Sequence, residues 1–214
     1  MAFIIAVENT KGGVGKSTTV SNIARGLQIE GNRVLIVDRD PLRVIRSWRE
    51  ISENEDYPLV VGIDTPTIHI DIKKIVDQFN YINIDGAAIV EEMAYSSIKA
   101  ADIVLIPVQP SGADIWGCKP LVRLIKARQE VTDGKPIARF LINREKKRTL
   151  LAREIQDALK TLEIEALETR LSDNVLYTEC LTKGSSIFDA KGIRAKPLKE
   201  DMNKLIAEIK EILK

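Results

Sequence analysis

Cysteine is scarce in this chain. Cys118 and Cys180 are its two copies, far apart and in no C-x-x-C pair. That spacing excludes a thiolate metal motif and reads as two reduced, buried thiols of a cytoplasmic protein. Histidine is scarcer still: His69 is alone, sits in "PTIHIDI" away from every motif, and reads as structural or exposed. An excess of charge of either sign is also missing. Lys and Arg number 32 against 31 Asp and Glu, a net charge of +1, so no global field draws the chain to nucleic acid or membrane and any such partner must meet a local patch. No stretch approaches the ~18 apolar residues of a membrane span, and the opening "MAFIIAVEN" is too short and lacks the basic leader of a signal peptide. Internal repeats, low-complexity tracts and Gly/Ser/Pro-rich linkers are absent too, so the 214 residues read as one domain, 1–214.

What is present is alternation. "FIIAV" (3–7), "RVLIVD" (33–38), "YINID" (81–85), "DIVLIPV" (102–108) and "IARFLIN" (137–143) are β-branched runs, as expected of strands buried on both faces. Between the first two, Val20, Ile23, Ala24 and Leu27 mark one helical face and Gly31 stands where the helix should end. Asp40-Pro41 predicts an N-cap and first-turn proline, with Val44, Trp48 and Ile51 on one face of the helix that follows. The repetition predicts an α/β fold: a three-layer sandwich whose central sheet is mostly parallel, with helices on both faces and ligands at the carboxyl ends of the strands.

One absence is local and informative. A phosphate-binding loop of the general form G-x-x-x-x-G-K-[ST] would put its first glycine at position 10, which is Thr10. The stretch "KGGVGKST" (11–18) instead supplies Gly12, Gly13 and Gly15, and begins with a second lysine. It follows an apolar strand and precedes an amphipathic helix, the context the motif requires. Glycines let the backbone N–H groups of Gly12, Gly13, Val14 and Gly15 turn toward phosphate oxygens, at the positive end of the helix beginning near Lys16. Lys16 would neutralise the β/γ-phosphates, Ser17 would ligate Mg²⁺, and Thr18 would bond the α/β-phosphate region.

With Lys11 in front, this loop resembles the deviant Walker A motif of the ParA/MinD family of P-loop ATPases. The resemblance implies ATP and Mg²⁺ as cofactors, ATP hydrolase activity, and an ATP-dependent homodimer in which Lys11 reaches the partner's nucleotide. A second cation beside a triphosphate would act as an arginine finger does. "VDRDP" (37–41) resembles the family's switch I, with Leu42 in place of the usual glutamine; by this match Asp40 orients the attacking water and Asp38 lies near the Mg²⁺ shell. Two aspartates compete for the Walker B role. Hydropathy favours Asp64, at the end of "LVVGID"; order along the chain favours Asp85, which we expect to hold the Mg²⁺ water shell. "PVQPSGADIWG" (107–117) resembles the family's dimer-face loop, with Asp114 as Lys11's partner across the interface. Asn143 sits where family members contact the adenine.

The match covers nearly the whole chain. With the loop beginning near residue 10, it resembles small partition ATPases that lack an N-terminal helix-turn-helix domain, a likeness that Trp48 and "GSSIFD" (184–189) share. That class implies nonspecific DNA binding when ATP-bound, nucleoid association, a small centromere-binding (ParB-type) partner, and plasmid or chromosome partition. The residues themselves support DNA weakly: Arg144, Lys146, Lys147, Arg148 and Arg153 form one basic cluster and Lys191, Arg194, Lys196 and Lys199 another, with acids interleaved. A MinD-like or organelle-positioning ATPase on a membrane or protein cargo is the alternative, and an ATP-locked scaffold a second. The terminal "NKLIAEIKEILK" (203–214) has a polar face that mixes lysine with glutamate, which attracts anionic lipid poorly, so no membrane partner is expected.

Overall fold

The computed structural model describes residues 2–88, 91–146, 155 and 157–214. Six strands form one sheet: β1 (Phe3–Val7), β2 (Val34–Asp38), β3 (Leu59–Gly62), β4 (Tyr81–Asp85), β5 (Ile103–Val108) and β6 (Ile137–Ile142), in the order β3-β2-β4-β1-β5-β6. Every pairing is parallel. The expected strands are all present, and "LVVG" adds the edge strand β3.

The period of two along each strand sends alternate residues into two cores. Ile4, Ala6, Leu35, Val37, Ile82 and Ile84 share one core with Ile98 of α4 (Glu91–Ala100) and Leu121, Val122 and Ile125 of α6 (Lys119–Glu130). Ile5, Val7, Ile36, Ile103, Leu105 and Leu141 face the other. There they meet Val20, Ile23, Ala24 and Leu27 of α1 (Lys16–Ile29), and Leu205, Ile206 and Ile209 of the C-terminal α8 (Lys196–Ile212). The apolar face of the terminal helix is therefore spent on the core.

The chain runs outward from β1 past β4 to β2 and β3, returns to fill β4, and then crosses β1 to β5 and β6. The carboxyl end of β1 thus lies where the winding reverses, a place where parallel sheets leave a crevice for ligands.

Two expectations for the segment after β2 need correction. The helix α2 spans Val44–Glu50, capped by Arg43 in the left-handed region (φ 54°), so Asp40-Pro41 precedes it by a turn. Asp40 instead caps that turn, its Oδ1 accepting from Leu42 N at 2.9 Å. Ile45 and Trp48 are buried while Ile51 is exposed, because Trp48 points to a specific partner. Its ring stacks on Tyr57 with centroids 5.1 Å apart, and its Nε1 donates to Ser185 O at 2.9 Å. "GSSIFD" lies against the same spot: Ile187 N donates to Asn22 Oδ1 at 2.7 Å, and Asp189 accepts from Tyr57 and Arg25. The two features marked in the sequence form one packing unit, which joins α1, α2 and the approach to α8.

Removing the indole should leave a cavity and an unpaired carbonyl. Trp48→Ala is expected to cost about 3–5 kcal/mol, and Trp48→Phe about 1–3 kcal/mol for the unmatched Ser185 carbonyl and lost volume, both read as shifts in the urea midpoint at constant m-value.

Candidate functional site: the strand-end crevice

At the end of β1, Asn9 fixes the start of the glycine loop. Its Oδ1 accepts from Lys11 N at 2.9 Å and its Nδ2 donates to Pro107 O at 2.7 Å, tying the loop to the end of β5. Gly13 (φ 75°) and Gly15 (φ 93°) adopt the left-handed region, where a side chain would be strained. Between them Val14 is fully buried. At Gly15 a Cβ would also lie 2.3 Å from Asn143 Nδ2. α1 starts immediately afterwards, Thr19 N bonding Gly15 O at 2.9 Å, so its dipole's positive end faces the loop.

Lys16 folds back over the loop, its Nζ 3.1 Å from Lys11 O. Burial pulls its ammonium below the ordinary value, while Asp85, Glu8 and Asp40 hold it up. Ser17 Oγ donates to Asp85 Oδ2 at 2.8 Å. Asp85 is completely buried, and its Oδ1 has no partner among the described residues. Burial raises its carboxyl to about 8, with Ser17's hydrogen bond opposing and the charges of Asp38 and Asp40 adding to the rise.

The competing Asp64 lies beyond the edge strand, its side chain 54 % exposed, and pairs with Arg46 at 2.8 Å; it does not contact Ser17. The greater hydropathy of "LVVGID" belongs to a strand whose Leu59 is exposed.

Three of the expected residues also hold contacts within the chain. Asp38 Oδ1 accepts from Asp40 N at 3.0 Å, and its Oδ2 accepts from Arg46 N at 2.9 Å and Arg46 Nε at 3.4 Å. Those contacts shape the segment between β2 and α2. Asn143 braces the loop, its Nδ2 donating to Val14 O at 2.7 Å and its Oδ1 accepting from Arg144 N at 2.9 Å, which leaves one N–H and one lone pair of the amide. Lys11 and Asp114, expected to meet across two chains, form an ion pair within one. Asp114 is buried in the first turn of α5 (Gly112–Gly117), where it also accepts from Gln109 N at 3.0 Å. Thr18 lines a pocket beside the loop with Gly15, Asn143, Leu171, Asn174 and Tyr177.

Several contributors carried no recognised signal. Gln109 Nε2 donates to Gly13 O at 3.1 Å, Asn9 anchors the loop, and Arg46 clamps Asp38. Glu8 and Arg39 form a buried ion pair behind the loop. Each stands within a few residues of a motif, which is the only sequence sign they offer. Of the basic cluster after β6, Arg144 and Lys146 are described, whereas Lys147, Arg148 and Arg153 lie outside the described residues. The second cluster is largely solvent-facing around the start of α8, with Lys191, Arg194 and Lys196 exposed. Both cysteines are free and buried. His69 Nδ1 lies 2.9 Å from Ser96 Oγ. Among the described residues no helix is long and apolar enough to cross a membrane.

Together the site offers a glycine cradle at a helix start, a lysine over it, and a serine hydroxyl beside a buried carboxylate oxygen without a partner. Residues 5–187 match the family described as the CobQ/CobB/MinD/ParA nucleotide binding domain. The chain belongs to this family. It is 26% identical over 212 residues to the maintenance of carboxysome distribution protein A of Halothiobacillus neapolitanus, covering 97% of this chain and 96% of that one. It is 26% identical over 192 residues to ParA of Rhizobium radiobacter, covering 88% and 86%. Among solved structures, the septum site-determining protein MinD of Pyrococcus horikoshii, complexed with Mg-ADP, superposes with a TM-score of 0.74 at 18% identity, covering 100% and 99%. That likeness shows that the two chains share one fold.

Asp85 sets a pH dependence. Its carboxyl ionises near 3.8 ordinarily but near 8 when folded. Between those values the folded chain holds a proton that the unfolded chain has lost. Its contribution to stability is therefore complete below pH ~4, declines as pH rises, and levels off above pH ~8. In nucleotide-free, magnesium-free protein, Asp85→Asn should flatten that decline. The variant should gain on the wild type between pH 5 and 8.5, measured as the difference in urea midpoints.

Proposed function

We propose that this chain is a Mg²⁺-dependent ATPase that dimerises on ATP binding and positions cargo along DNA, releasing it after hydrolysis. The observation that carries the reading is the double-lysine loop. Lys16 lies over the glycine cradle, while Lys11, its side chain 46 % exposed, holds its ammonium on the buried Asp114, a contact it would exchange for the partner's nucleotide in a dimer. Gly12, Gly13, Val14 and Gly15 would supply phosphate-binding N–H groups, and Lys16 and Thr18 further phosphate contacts. Ser17 and Asp85 would hold Mg²⁺. These two oxygen donors suit a small hard cation that binds through one or two protein oxygens plus phosphates, and Asp85's unpaired Oδ1 supplies the fit. When bound, the ion neutralises charge that builds up on the phosphates.

Asp40 would orient the attacking water. It stands beside Asp38 at the lip of the crevice and its second oxygen is uncommitted to the Leu42 turn. Asn143 would hold the loop's shape, and its remaining N–H and oxygen lone pair would meet the adenine edge. Asp114 would hold Lys11 in the unpaired subunit.

The cargo reading rests on relatives. The resemblance to small partition ATPases, with ParA among the relatives, supports plasmid or chromosome partition on nonspecific DNA with a ParB-type partner; the carboxysome-distribution protein, matched over 97% of this chain, favours an organelle cargo as the second reading. Both use the same switch. Exposed Lys191, Arg194 and Lys196, with Arg144 and Lys146, would supply the DNA contacts, doubled in a dimer. Nonspecific affinity grows with phosphates neutralised.

In a gel-shift titration on random-sequence duplex DNA, binding should appear with ATP, be absent with ADP, and weaken steeply with salt. Binding in neither state removes DNA from the proposal. Lys11→Ala should retain nucleotide binding yet stay monomeric with ATP by light scattering, whereas Lys16→Ala should lose nucleotide affinity. Asp40→Ala should bind ATP and lower turnover roughly 10²–10⁴-fold; Asp85→Ala should lose Mg²⁺-dependent turnover that Asp64→Ala keeps. The reverse pattern at the last pair would transfer the metal role to Asp64.

A further inference from the structure

The ends of β1, β2 and β4 carry the glycine loop, Asp40 and Asp85 respectively, and one buried contact joins all three. Glu8 follows β1 directly and Arg39 follows β2 directly. The Arg39 fork grips the Glu8 carboxylate, Nε to Oε1 at 3.1 Å and Nη2 to Oε2 at 2.5 Å. Neither side chain is more than 1 % exposed. The β4 end closes on the same pair: Arg39 N reaches Asp85 O at 3.4 Å, and Gly86 N bonds Val7 O at 3.0 Å. A Cβ on Gly86 would stand 2.2 Å from Glu8 Oε2, so only glycine lets the β4 loop approach. Arg39 Nη1 has no partner among the described residues, and the residue lies at a cleft with Pro41 and Ala87.

A buried ion pair is weak evidence of stabilisation, because desolvation cancels much of the attraction and a matched apolar pair often serves as well. This pair's position suggests another reason for its presence. Glu8 lies close enough to Lys16 for each to influence the other's ionisation, and Arg39 is the residue before Asp40. Neutralising Lys16 with a phosphate changes the field on Glu8, and Glu8 is bonded to the segment that carries Asp40.

We infer that Glu8 and Arg39 are positioning residues that couple occupancy of the glycine loop to the placement of Asp40. This rests on the nucleotide-switch reading above. The coupling is a differential contact between two states of one segment, and its strength is bounded by that difference.

The decisive protein is the double variant Glu8→Leu/Arg39→Met, which removes both charges and keeps the volume, since Arg39→Met alone strands a buried carboxylate and can unfold the chain. Arg39→Lys keeps the charge without the fork. The double variant should melt near the wild type and bind ATP within about threefold of it. Its kcat should fall about a hundredfold, the scale of a ~1 Å misplacement, with KM little changed. Arg39→Lys should lie between. Hydrogen exchange gives a readout independent of turnover: ATP should protect the amides of Asp40, Leu42, Arg43 and Val44 in the wild type and leave them unprotected in the double variant. A double variant that is folded, turns over normally and gains the same protection overturns the coupling while leaving the ATPase reading intact. A wild type that binds no ATP overturns the ATPase reading, and the coupling with it.

Discussion

The site depends on the insertion of β4 between β1 and β2. Parallel pairing brings Val7 beside Asp85 and Asp38 beside Asp85 in register, so three strand ends finish at one level. Without that insertion the serine of the first helix turn would have no carboxylate to meet, and the charge of Asp38 would not add to the rise at Asp85. The crossing of the chain over β1 then places β5 on the other side, where Pro107 and Gln109 hold the loop from the opposite flank. A loop of glycines is permissive by itself; here Asn9, Gln109 and Asn143 each hold it through a backbone atom.

The electrostatics follow from which acids are already satisfied. Asp38 accepts backbone and guanidinium donors, Glu8 has the Arg39 fork, Asp114 has Lys11 and Gln109 N, and Asp64 has Arg46 in the open. Asp85 alone among these combines full burial with an oxygen that nothing in the described residues contacts. Opposite it, Lys16 is drawn toward neutrality by the same burial. An acid and a base both held away from their ordinary ionisation, the acid bonded to the residue that follows the base, form a site whose charges a ligand can complete.

Much of this was legible because local chemistry dictates it. Short β-branched runs bounded by turns favour buried strands, and glycines followed by Lys-Ser at a strand-to-helix junction admit few readings. What hydropathy alone misreads is strand order. "LVVGID" outscores "YINID" in hydropathy, yet it is the edge strand, while β4 carries the fully buried Asn83 and lies at the centre. Hydropathy reports burial on average; it cannot say that β4, not β3, neighbours β1. Asp40 and Pro41 have the composition of a helix start, but Asp38's grip on Arg46 delays α2 until Val44. The partners of Lys11, 103 residues away, and of Glu8, 31 away, carry no periodic signal, since an ion pair leaves no trace in either residue's neighbours.

The same distribution explains why the ligand-free arrangement is a strained electrostatic compromise rather than a finished core. Replacing Asp85 by a neutral side chain would relieve a buried carboxyl, and replacing Glu8 and Arg39 together by apolar groups would relieve a buried pair. The fold keeps both at the one seam where three strands end. Groups that cost folding energy and sit where motifs converge are better explained by the state they favour when the crevice is filled. A ligand that binds only the folded chain returns that cost through its binding free energy, so the stability of the β2–β4–β1 seam and the occupancy of the glycine loop are linked quantities. With the coupling we infer through Glu8 and Arg39, the bound state would be read in the order of the segment after β2, which is also the segment that carries Asp40.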